Sequence, residues 1–159
     1  MSWGCWIENF KAMPFVQDAA ICGYSGVRNC GHTPQHAAQT QPSVWTSFPN
    51  GPLSKITPEQ LSHLTRIHER EKILTEGVTV GDFKARVLRD DFVLTEADSS
   101  ITTVDLKTKA LEGSDKSYNI GVAATDKVLV IVLGQEGSQG PRVTIAAMEK
   151  AKELRNSGF

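Results

Sequence analysis

The sequence is poor in the features that mark most functional classes. Its cysteines are Cys5, Cys22 and Cys30, an odd set without paired spacing, which argues for reduced thiols and against a disulfide framework. No stretch approaches the ~18 apolar residues of a membrane span, and Met1 to Phe10 contains Glu8 and lacks a basic start, so neither a membrane anchor nor a secretory signal is expected and a cytosolic location is. A formal charge of -1 offers no global field for nucleic acid, so any phosphate-bearing partner has to use a local patch. Aromatic residues are scarce too, at six Phe, three Trp and two Tyr.

That scarcity makes their placement informative. Trp3 and Trp6 stand three residues apart at the start of the chain, with Ile7 and Phe10 continuing the stripe, so a helix opening at Ser2 carries all four on one face. At the other end Ile145, Met148, Ala151 and Leu154 recur at steps of three, ahead of Phe159. Chain ends usually fray, and aromatics at both ends need a reason. Core anchoring is one. The other is that the two terminal helices pack side by side near Trp45, leaving a flat aromatic slot of the kind that binds extended proline-rich peptides.

The composition is that of an ordinary globular protein, with 40% apolar and 22% charged residues, and 159 residues fit one domain. The run from Asp18 to Tyr24 is a short buried strand ending at Ser25-Gly26. Val27 to Gln41, rich in Gln, His, Asn, Thr and Ala, offers little to bury and is expected to be a flexible loop. Ser43 to Phe48 resumes a strand. Thr57-Pro58-Glu59 caps a helix whose inner stripe is Leu61, Leu64, Ile67 and His68. The second half predicts a meander: a short strand or turn over 77–81, strands over 84–88 and 101–106, and a hairpin in which Tyr118, Ile120 and Val122 lead through Thr125-Asp126-Lys127 to the apolar run Val128 to Leu133. After Gly134 to Gly137, Pro141 precedes a last helix over about 143–156. Helices at both ends of a meander imply an α+β fold.

Several segments, in this order, resemble the vertebrate-type profilins: Trp3-Gly4-Cys5-Trp6-Ile7-Glu8-Asn9, Gln17 to Ile21, Gly23-Tyr24, Ser43-Val44-Trp45, Ile56-Thr57-Pro58, Arg89-Asp90, Leu106-Lys107-Thr108-Lys109, Thr125 to Val130, and Leu154 to Phe159. The resemblance spans nearly the whole chain, with residues 27–41 as extra sequence. It implies a single profilin-like domain over 1–159, with a central antiparallel sheet flanked by helices and the N- and C-terminal helices together on one face. It also implies a monomer in the cytoplasm and cytoskeleton that binds monomeric actin and proline-rich proteins. Phosphoinositide lipids are a further implied partner, and no cofactor is.

By the same resemblance the proline-peptide slot comprises Trp3, Trp6, Trp45, Leu154 and Phe159. Trp6 and Phe159 stand where that family often has tyrosine, and Glu153 where it has histidine or tyrosine, so hydroxyl donors are lost and the expected binding is retained but weakened or re-tuned. The implied actin face is Lys84, Val87, Leu88, Arg89, Lys107, Lys109, Ser117, Asn119 and Glu149. Here Ser138-Gln139-Gly140-Pro141 replaces a Val-His-Gly-Gly turn, and Ile145 and Met148 stand at positions often lysine and tyrosine. The implied phosphoinositide surface is Lys84, Arg86, Arg89, Lys107, Lys109 and Arg155. The alternative within the family is a proline-peptide or lipid adaptor with weak actin binding.

An enzyme is the rival class. Cys30, His32 and His36 have the residue types of a zinc site that His63 or His68 could complete, but no second cysteine pair supports it. Gly134-Gln135-Glu136-Gly137 lacks the Lys-Ser/Thr end of a phosphate loop. No Ser-His-Asp or paired-carboxylate arrangement can be argued from the spacing, so neither metal nor catalytic residues are expected.

Overall fold

The most apolar segment of the chain lies at its centre. Strand β7, Val128–Gly134, is buried along its whole length because both faces of the sheet are covered there. Its alternate residues feed two cores. Leu129, Ile131 and Leu133 join one, and Val128, Val130 and Val132 join the other. The computed structural model describes residues 3–26, 28, 42–93, 101–110 and 113–159, with Trp3 by its backbone alone.

Among the described residues the sheet has seven strands in the order β2-β1-β7-β6-β5-β4-β3, every neighbouring pair antiparallel. The strands are β1 Val16–Gly23, β2 Ser43–Ser47, β3 Val78–Val80, β4 Phe83–Asp91, β5 Thr102–Thr108, β6 Asn119–Ala124 and β7. The first core is closed by Leu61 and Leu64 of α2, Pro58–Leu64, and by Ile73 of α3, Arg70–Glu76. The second is closed by Phe10 of α1, Glu8–Lys11, and by Val143, Ala147, Ala151 and Leu154 of α4, Gly140–Asn156. The fold is therefore α+β, with the terminal helices on one face.

The hairpin β6–β7 and its turn at 125–127 fall where the apolar pattern puts them, and β4 and β5 extend the expected strands. Strand β4 outlasts its sequence alternation because the register shifts between Val87 and Arg89, a bulge that breaks the period of two. Helix α2 begins with a capping box: Thr57 Oγ1 accepts from the Gln60 N–H while Gln60 Oε1 accepts from the Thr57 N–H, both at 3.2 Å. It ends at Leu64, so Ile67 and His68 are not on its inner stripe; they lie in a separate 3₁₀ turn, Ile67–Glu69. Arg70 is the cause, donating to the Leu64 carbonyl at 2.5 Å and holding Asp90 of β4 by two bonds of 2.8 Å. Helix α3 was not legible in the sequence, because only Ile73 of its seven residues is buried.

The N-terminal helix is also shorter than its stripe suggests. Trp3–Trp6 is a 3₁₀ turn and α1 covers four residues, with Gly4 weakening its start and Pro14 forbidding continuation. On α4 the buried set includes Val143, Ala146, Ala147, Lys150, Ala151 and Leu154, whereas Ile145 is 52% exposed. A step of three residues falls about 60° short of a full helical turn, so Ile145 and Leu154 end up on opposite sides. Finally, most of the presumed loop over 27–41 lies outside the described residues, but Arg28 does not and is buried. Its guanidinium donates to Thr102 Oγ1 at 3.1 Å, the Ala124 carbonyl at 3.0 Å and Asp126 at 2.7 Å.

Asp18 ties β1 to the chain that follows β2. Its buried carboxylate accepts from the backbone N–H groups of Ala19 and Leu53, both at 2.8 Å. Burial pushes its carboxyl above the ordinary value of 3.8, against the downward pull of the Leu53, Ala19 and Phe48 N–H groups. A raised folded-state pKa means the native protein binds this proton more tightly than the unfolded chain, so the stability from this group falls as pH rises from 3.8 through the raised value. Asp18→Asn offers one acceptor oxygen instead of two and should cost about 1 to 3 kcal/mol. Thermal melts across pH should show the wild-type margin narrowing with rising pH; a margin that widens would overturn this account.

Candidate functional site

The aromatic slot is built from the C-terminal turn. After α4, Gly158 adopts φ +100°. Its N–H bonds the Arg155 carbonyl at 3.0 Å and the Phe159 N–H bonds the Leu154 carbonyl at 2.9 Å, the paired bonds of a Schellman motif that needs glycine at this position. Lys127, in the β6–β7 turn, donates to the Gly158 carbonyl at 3.2 Å. The motif turns Phe159 back toward Trp45 of β2, ring centroids 6.3 Å apart and planes at 73°, an edge-to-face pair. Trp45 in turn lies flat over Gly23 of β1, where a Cβ would come within 2.4 Å of the indole.

Trp6, Trp45 and Phe159 are half-buried, packed on the second core with faces left to solvent. Leu154 differs from the expectation: it is fully buried, supporting the rings from below instead of facing a ligand. The Trp3 side chain lies outside the described residues. Lys150 fills the space beneath Trp6, its ammonium 5.9 Å from that ring and 5.7 Å from Phe10. It is 5% exposed and pairs at 2.7 Å with Glu153, which is 53% exposed.

The second face is bare sheet. Helix α4 packs chiefly on β6 and β7, leaving the same side of β4 and β5 uncovered. Across it Arg86 stands opposite Lys107, which stands opposite Asn119. With Lys109, Asp115 and Ser117, Arg86 and Lys107 line a cleft of about 410 Å³. Lys84 adjoins this patch, its carbonyl accepting from the Lys109 N–H at 2.7 Å. The apolar part is Leu88, 52% exposed in the bulge. Asp105 of β5 accepts from Thr144 of α4 at 2.5 Å, with half-buried Met148 one turn on along that edge; Ile145 and Glu149 are exposed on the outer side of the helix.

One of the expected surface residues does not fit this face: Val87 packs toward the first core. Arg89 stands opposite Asp105 on the open side, its guanidinium pairing with Asp91 at 2.6 Å. Of the implied phosphoinositide set, Lys84, Arg86, Lys107 and Lys109 cluster, whereas Arg155 lies about 17 Å along α4 from Thr144 and so belongs to a different region. Sequence reasoning missed Leu74 of α3, which is 50% exposed beside β4, and missed Gly23, Lys150 and Gly158. A glycine in a strand and a glycine just past a helix were the available signals.

Chemistry is sparse. Among the described residues no three His, Cys, Asp or Glu groups could hold a metal ion; Cys30, His32 and His36 lie outside them. Burial pushes the Cys22 thiol up to about 12, leaving it protonated and inert. Tyr24 is raised by burial as well and donates to the Thr125 carbonyl at 2.5 Å. No helix among the described residues is long and apolar enough to cross a membrane.

The profilin family model matches residues 1–159. The chain belongs to the profilin family. Human profilin-1 is 32% identical over 99% of this chain and 98% of its own length. Rat profilin 2a superposes with a TM-score of 0.78 at 32% identity, covering 99% of this chain and 96% of that one. Mouse profilin IIa, solved in complex with a double repeat from the FH1 domain of mDia1, gives 0.77 at 31% identity and covers both chains fully. Within this profilin, Gly23→Ala should displace the Trp45 ring and with it the partner of Phe159. Tryptophan emission should change and proline-peptide affinity should fall at least tenfold, against a stability cost of about 1 to 3 kcal/mol; unchanged emission and affinity would show that the ring does not need this seat.

Proposed function

We propose that this profilin binds monomeric actin through the open face of β4, β5 and β6 with the adjoining edge of α4, and binds proline-rich segments through the slot of Trp3, Trp6, Trp45 and Phe159. The observation that carries the reading is the coexistence of these two separate surfaces in a chain that matches the family from end to end. The slot half is supported by the solved mouse relative, in complex with a double repeat from the FH1 domain of mDia1. A polyproline II segment has no internal hydrogen bonds and is already extended, so half-exposed rings can grip its pyrrolidines while an indole N–H donates to its carbonyls.

The actin half is supported by a basic row with an apolar neighbour, Leu88, a surface suited to steering toward an acidic partner and then excluding water. The protein then acts as a non-enzymatic regulator of actin polymerisation in the cytoplasm, delivering actin to proline-rich assembly factors. It would change actin only by binding one of its conformations more tightly than another. Lys84, Arg86, Lys107 and Lys109 also suit an anionic lipid headgroup, at about 1 kcal/mol per basic residue near the membrane.

Two substitutions separate the halves. Trp45→Ala should weaken binding to a proline-rich peptide by about 1 to 3 kcal/mol while leaving actin binding intact, read by titration calorimetry. Arg89→Glu should weaken actin binding at low salt by charge reversal and leave the slot unaffected, read by sedimentation with actin monomers. Undiminished affinity in either case would move that face elsewhere.

A further inference from the structure

We infer that the slot selects proline-rich segments carrying an arginine or lysine, read by the carboxylate of Glu153; this rests on the slot reading above. The Lys150–Glu153 pair is asymmetric, with the cation 5% exposed and the anion 53% exposed. The ammonium points inward, over Trp6 and Phe10, so a ligand meets the carboxylate alone. Glu153 is bracketed by the slot: Lys150 links it to Trp6, and its own backbone carbonyl accepts from the Ser157 N–H at 3.2 Å in the turn that brings Phe159 to Trp45.

The neighbouring cations do not cancel it. Lys127 is directed to the Gly158 carbonyl, and Lys152 and Arg155 leave the helix about 100° and 160° round from Glu153. The C-terminal end of α4 adds further negative potential. An uninterrupted proline run presents only carbonyl acceptors, and a carboxylate can only accept, so the two have nothing to exchange. A guanidinium or ammonium in the peptide satisfies the carboxylate through a charge-assisted bond and can lie on the exposed rings as well.

The experiment compares three peptides of equal length, decaproline and decaproline with a central Arg or a central Glu, titrated against the full chain by tryptophan fluorescence and calorimetry. The wild type should bind the Arg peptide about five- to tenfold tighter than decaproline at low salt, bind the Glu peptide weakest, and lose much of the difference as salt rises. Glu153→Gln should erase the preference. Because that change strands the Lys150 ammonium, the double variant Lys150→Met/Glu153→Gln, which removes both charges, should do the same in a folded protein, whereas Lys150→Met alone should keep the preference. Equal affinity for all three peptides, or a preference that survives in either Glu153 variant, would overturn the inference. Failure of the wild type to bind any of the peptides would overturn the slot reading and this inference together.

Discussion

The contact on which both faces depend is the seating of α4 on β6. At Gly121 a Cβ would come within 2.6 Å of the Thr144 Cα, so only glycine lets the helix backbone approach this closely. The hydrogen bond from Thr144 to Asp105 then fixes the helix about its axis. With α4 held there, Lys150 and Leu154 are aimed at α1, and the helix end reaches the neighbourhood of β2. The same seating leaves β4 and β5 uncovered. A helix set closer to β4 would close the open face and withdraw Phe159 from Trp45. One backbone approach thus defines the slot and the bare sheet beside it.

Strand and hairpin positions were legible because a sheet covered on both faces demands continuous apolar runs, and Val128 to Leu133 supplies one. Capping chemistry was legible for the same kind of reason: Thr57, Pro58 and Gln60 act within one turn. What the sequence concealed was everything that depends on a partner distant in the chain. Arg70 ends α2 by bonding Leu64 and Asp90. Arg28 sits in a polar stretch with little to bury, yet finds acceptors on β5 and in the β6–β7 turn. Lys150 reads as a solvent-facing lysine until two rings and a carboxylate are placed around it.

For the candidate site, residues were more legible in the sequence than orientations. Trp6, Trp45 and Phe159 come together on the second core, while Leu154 lies beneath them and Val87 turns to the opposite core. Both orientations escaped the sequence for one reason: a resemblance transfers positions along the chain, and it does not say which side of an element a side chain leaves by. On β4 the bulge at Leu88 inverts that side midway, so residues before and after it cannot be assigned by alternation alone. On α4 a stripe counted in threes drifts round the helix, so its first member, Ile145, is exposed while its last, Leu154, is buried.

The two faces lie on the same side of the sheet with α4 as the wall between them. The slot draws on one edge of that helix, through Lys150, Glu153 and Leu154; the bare face borders the other, through Thr144 and Met148. They share no side chain, so two partners can be engaged without competing for the same contacts. The wall itself is stiff, since its buried side is fixed by small residues, Ala146, Ala147 and Ala151, that leave no room to roll. Charge distinguishes the edges further: basic sheet residues flank one, and the outward carboxylate of Glu153 marks the other. Under the proposed reading, two partners of different chemistry would need such a partition, and a single helix provides it by burying a lysine and exposing the glutamate paired with it.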